Sequence, residues 1–110
     1  MMDASGRAAI FNSGRWHWHS AVIRDRKLTL SAQRVAQLLF DLQNVDRGFA
    51  WPSRVHIARE LRISLPTVKR AIRQLEQRGW LAINRSRGRG HANEYRLAFG
   101  QAGSEQAAAE

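Results

Sequence analysis

The strongest constraint in this sequence lies between Trp51 and Trp80 (WPSRVHIARELRISLPTVKRAIRQLEQRGW), where two helix-period apolar stripes follow each other with only Arg62-Ile63-Ser64 between them. Val55, Ile57, Ala58 and Leu61 supply an inward stripe in the first segment. Val68, Ala71, Ile72 and Leu75 repeat it in the second at the i, i+3, i+4, i+7 spacing of a buried helix face. A link this short denies the two helices antiparallel packing, so they must cross and share one small core. Ile63 is placed to plug that core and Ser64 to cap the second helix, whose opposite face carries Pro66, Lys69, Arg70 and Arg73.

Length and charge narrow the rest. A chain of 110 residues with 44% apolar content can build one compact core but not two. Eighteen Lys and Arg against nine Asp and Glu give a formal charge of +9 and a pI near 11.7, which points to a polyanionic partner. The charge is also local. From Arg62 to His91, the eight basic residues Arg62, Lys69, Arg70, Arg73, Arg78, Arg85, Arg87 and Arg89 face Glu76 alone, which leaves about +7 in that window.

Several function classes fall away. The absence of cysteine excludes a disulfide or a thiolate zinc site. No nucleophile is matched with a base, no carboxylates are paired and no phosphate-cradling loop is present, so neither catalysis nor a cofactor is expected. His17 and His19, with His56 or His91, are the one metal arrangement in view; no carboxylate or thiol clusters with them, so no metal is expected. No apolar run reaches signal-peptide or membrane-span length, and no small-molecule ligand is evident, so the expectation is a cytoplasmic protein with no membrane partner.

Reading outward from the paired stripes, residues 1–15 are expected to form a flexible tail, 16–99 one domain, and 100–110 a disordered C-terminal tail. Trp16-His17-Trp18-His19 alternates as a short extended arm would, with both tryptophans on one face. A first helix is expected over about 31–42, capped by Ser31, with Val35, Leu38, Leu39 and Leu42 as its stripe. Asn44 to Ala50 reads as a turn, with a brief strand at Phe49 to Trp51. The second helix is expected over about 53–61, capped by Ser53, and the third over about 65–78, stopping at Gly79. A hairpin over about 80–99 follows, with its tip at Asn84 to Asn93 and with Tyr95, Leu97 and Phe99 turned inward on the return strand. The fold class is mainly α with a small β-hairpin (α+β).

IARELRISLPTVKRAIRQLEQRGWL, with the upstream LTLSAQRVAQLLF and WPS, resembles the winged helix-turn-helix domains of bacterial and phage transcription regulators and of plasmid or phage replication initiators, over roughly residues 20 to 99. One position departs from the pattern. Such domains usually place glycine where Arg62 stands, and a left-handed Arg costs roughly 1 kcal/mol relative to Gly. Either the turn differs or a phosphate contact from that side chain offsets the cost.

The resemblance implies that the third helix enters the major groove of double-stranded DNA. Its base-edge candidates are Leu65, Pro66, Thr67, Lys69 and Arg70, with Arg73 reaching a base or a phosphate. Ser53 and Ser64, as helix caps, and Arg62 are candidates for the phosphate backbone, Arg54 is a further DNA-contact candidate, and Arg85, Arg87 and Arg89 on the wing are candidates for the minor groove or backbone. The implied function is a sequence-specific regulator of transcription. A replication initiator or an excisionase-like architectural factor of a mobile element would use the same contacts, a protein-interaction winged helix belongs to another class, and RNA binding is disfavoured because no stacking aromatics sit among the basic residues. Modules of this size often pair on palindromes, for which the Trp16 to Ile23 arm or the first helix offers a homodimer contact.

Overall fold

A computed structural model of the chain describes residues 14, 16–43, 52–85 and 93–98. Within them run α1 (residues 16–23, with Gly14 also helical), α2 (Leu30–Asp41), α3 (Arg54–Leu61), α4 (Leu65–Gln77), β1 (Leu81–Asn84) and β2 (Glu94–Leu97). This is the expected winged helix-turn-helix order with one helix more. The proposed tails (Gly14 apart), the turn and strand at 44–51, the wing tip with Arg87 and Arg89, and Phe99 lie outside the described residues.

The stripe of α4 folds as its spacing dictates: Val68, Ala71, Ile72 and Leu75 are all buried. α4 packs against α2, α3 and β1, which makes it the axis of the core. In α3 only Ile57 is fully buried; Ala58 and Leu61 pack at the core margin. Val55, expected inward, is 47% exposed. At about 100° per residue, Val55 lies some 200° around the helix from Ile57, so the two cannot share a face.

In α2 the buried set is Ala32, Val35, Ala36, Leu39 and Phe40, while Leu42 is 40% exposed. The stripe is therefore rotated toward the small residues and Phe40, away from Leu42. The helix starts one residue early, capped by the hydroxyl of Thr29 on the amide of Ala32 at 3.1 Å rather than by Ser31.

The N-terminal segment is the main correction. Residues 16–23 are helical, not extended, because Trp18 and Val22, one turn apart, both enter the core. Trp16 and Trp18 consequently point to different sides, Trp16 58% exposed and Trp18 1%. The indole N–H of Trp18 donates to the carbonyls of Trp80 and Ala98, each at 3.0 Å. Its ring stacks on Phe40 and meets Trp80 edge-on, with centroids 6.4 Å apart in both cases. α1 is thereby fastened to α2 and to both sides of the hairpin.

Two helix ends share one geometry. At the end of α4, Gly79 has φ 82; its N–H reaches the carbonyl of Glu76 at 3.0 Å and that of Trp80 reaches Leu75 at 2.9 Å. At the end of α3, Arg62 has φ 56 and ψ 46, with its N–H 3.3 Å from the carbonyl of Arg59 and that of Ile63 3.1 Å from Ala58. Both are the paired reverse bonds of a left-handed helix cap. The turn at Arg62 therefore keeps the shape glycine would give it, and the strain of a left-handed Arg stays in the fold.

Candidate nucleic-acid interface

The short turn fixes where α4 faces. Ser64 accepts the amide of Thr67 at 3.2 Å and Pro66 sits in the first turn, so the helix starts immediately after the α3 cap. Its outward side presents Pro66, Lys69, Arg70 and Arg73, all exposed, while Leu65 and Thr67 are half-buried. The Thr67 hydroxyl is already engaged by Ser64 Oγ at 2.7 Å and by an Arg70 Nη at 3.4 Å. This leaves Lys69, Arg70 and Arg73 as the exposed cationic side chains of α4.

The hairpin forms one wall of a groove beside that face. β1 and β2 pair antiparallel with Leu81 opposite Leu97 and Ile83 opposite Tyr95; Tyr95 and Leu81 are buried against the helices. Between the hairpin and α4 lies an open groove of about 160 Å³, bordered by Arg54 of α3, Lys69, Arg73 and Glu76 of α4, and Arg85 at the root of the wing. Four of the expected contact residues therefore converge on one surface. Ser53 and Arg54 sit exposed at the start of α3, Ser53 capping through the amide of His56 at 3.0 Å. Arg62 and Ser64 are exposed at the turn and do not border the groove.

Arg85 is engaged within the chain. Its two terminal nitrogens donate to the two carboxylate oxygens of Glu76, both at 2.8 Å. The hydrogen bond from Arg85 holds the Glu76 carboxyl below its ordinary range against the upward push of burial, and the Arg85 charge adds to the lowering. In turn Glu76 raises the Arg85 guanidinium. Helical spacing suggests Arg73 as the partner of Glu76; the hairpin brings Arg85 there instead. Nothing local in the sequence marks a pair nine residues apart, because the contact depends on where the first strand leaves the helix.

A second pair holds the platform. Asp25, 2% exposed, receives two bonds from Arg78 at 2.9 Å, one from the indole N–H of Trp80 at 2.6 Å and one from the amide of Lys27 at 3.1 Å. Burial pushes its carboxyl up, but the bonds from Arg78, Trp80 and Lys27 and the charge of Arg78 together bring it below its ordinary value. Beside it, Gln74 of α4 accepts the amide of Thr29 at 2.9 Å and donates to the carbonyl of Lys27 at 3.2 Å. The loop between α1 and α2 is thus tied to the C-terminal half of α4. The one trace of this in the sequence is a lone acid inside the basic run Arg24-Asp25-Arg26-Lys27.

Among the described residues, no group of three or more His, Asp or Glu could hold a metal ion, and no helix is long and apolar enough to cross a membrane. His19 bonds Gln37 and packs its ring on Phe40, a role within the fold. The family model described as a helix-turn-helix domain matches residues 26–81, just over half of the chain. No curated protein and no solved structure matches it.

Proposed function

This chain belongs to the helix-turn-helix domain family, and we propose on that premise that it binds double-stranded DNA as a sequence-specific regulator of transcription. The observation that carries the reading is the convergence of Arg54, Lys69, Arg73 and Arg85 on one groove beside the exposed face of α4. In this reading α4 lies in the major groove. Lys69 and Arg70 reach base edges, Arg73 reaches a base or a phosphate, and Leu65 and Pro66 give only apolar contacts; Thr67 has its hydroxyl committed to Ser64 and Arg70. We assign Ser53, Arg54, Arg62 and Ser64 to backbone phosphates, and Arg85, Arg87 and Arg89 to the minor groove or the backbone.

Arg62 keeps a left-handed backbone where glycine would be easier, and in this reading its side chain meets a backbone phosphate that offsets the strain. Pairing of two copies on a palindromic site belongs to the same proposal, supported by the exposed apolar residues Trp16, Ile23 and Leu30 at the α1 and α2 end.

Arg70→Ala and Arg73→Ala are each expected to weaken binding to a cognate duplex by about 1–3 kcal/mol while barely changing binding to unrelated duplexes. Fluorescence anisotropy on both kinds of duplex measures this; equal losses on all sequences would leave only non-specific binding. Mapping occupied sites in the source genome separates the roles: a promoter operator supports a regulator, whereas repeats at an origin or sites flanking an attachment sequence support a replication or excision factor using the same surface.

A further inference from the structure

We infer that Glu76 acts as a built-in competitor for DNA phosphate: it occupies Arg85 in the free protein and gives it up when a backbone phosphate enters the groove between α4 and the wing. The inference rests on the DNA-binding reading above and assigns this groove its ligand, a single phosphodiester of the duplex backbone.

Among the described residues, Glu76 is the only acidic one bordering a groove whose other charged borders are Arg54, Lys69, Arg73 and Arg85. Within the described residues no carboxylate pairs with Arg54, Lys69 or Arg73. A lone anion among four cations stands where a polyanion would place its charge. The geometry matches as well, since two parallel N–H···O bonds at 2.8 Å are the fork a guanidinium also offers to phosphate.

Exchange is physically open. The side chains of Arg85 and Glu76 are 60% and 34% exposed, so a phosphate reaches the pair without unfolding anything. An exposed ion pair holds only weakly against solvent and salt, whereas a duplex phosphate brings with it the release of condensed counterions. The groove volume of about 160 Å³ is also roughly ten times the 10–15 Å³ that one water needs. Occupying Arg85 in the free state lowers attraction to arbitrary DNA and leaves selection to the α4 face.

The test is a cycle of four proteins, the natural chain, Glu76→Gln, Arg85→Ala and the double variant, titrated with a cognate and an unrelated duplex at fixed salt. Competition predicts that Glu76→Gln tightens binding to both duplexes by about tenfold. It also predicts that Arg85→Ala weakens binding by no more than about twofold in the natural background but by about tenfold in the Glu76→Gln background. An equal effect of Arg85→Ala in both backgrounds, or weaker binding by Glu76→Gln, overturns the competition and leaves DNA binding intact. Absence of binding by all four at low salt overturns both.

Discussion

Two guanidinium–carboxylate pairs of almost the same geometry draw three of their four members from the stretch between Glu76 and Arg85, and they do different work because of where they sit. Arg78 grips Asp25 through two bonds at 2.9 Å with the carboxylate 2% exposed, and Arg85 grips Glu76 through two bonds at 2.8 Å with the guanidinium exposed and the carboxylate 34% exposed. The buried pair is saturated: Trp80 and Lys27 supply the remaining donors, so it locks the α1–α2 loop, the end of α4 and the start of β1 into one body. The open pair holds a movable charge in a groove. Solvent exposure, not bond length, separates a structural pair from an exchangeable one.

The largest effect should come from the buried pair. Asp25→Asn removes the charge that Arg78 and Trp80 converge on and is expected to cost about 3 kcal/mol, a fall in Tm of more than about 10 °C for a domain of this size. Thermal unfolding followed by circular dichroism gives the number; a loss comparable to that of Glu76→Gln would erase the contrast.

Acid sharpens the same contrast. Because the folded Asp25 carboxyl lies below its ordinary value, its stabilisation is fully present above the unfolded value near 3.9 and drains away as pH falls through and beneath it. Stability measured from pH 6 downward should drop more steeply in the natural chain than in Asp25→Asn. Parallel curves would show that the buried pair contributes nothing to the acid response.

Much of this architecture is legible in the residues alone. The α4 stripe, the caps at Ser53 and Ser64, the stop at Gly79 and the inward Tyr95 all follow from local spacing, and each appears in the fold. The misses at the N-terminal segment and at the two ion pairs share a cause. Trp16 to His19 satisfies a period of two and, with Val22, a period near four; which one wins depends on whether a pocket exists for Trp18, and that pocket is made by Phe40, Trp80 and Ala98. Asp25 and Glu76 find their partners across the chain, so neither pairing has a local signature. The cationic face could be read from sequence, whereas the carboxylate within it required the hairpin.

Smaller effects follow. Arg62→Gly relieves a left-handed side chain at φ 56 and is expected to raise stability by up to about 1 kcal/mol while weakening DNA binding several-fold through one lost phosphate contact. A gain in stability with unchanged affinity would remove Arg62 from the interface. Smallest in stability terms is Glu76→Gln, for which Tm should stay within about 2 °C of the natural chain even as affinity rises. A large fall in Tm would make the open pair structural after all.

The central claim, that the face of α4 and the root of the wing form a surface for the phosphate backbone, is tested most directly by measuring duplex affinity against salt. With about six phosphates neutralised, log affinity should fall linearly with log salt concentration at a slope of roughly −5. A flat response across the same range would contradict it.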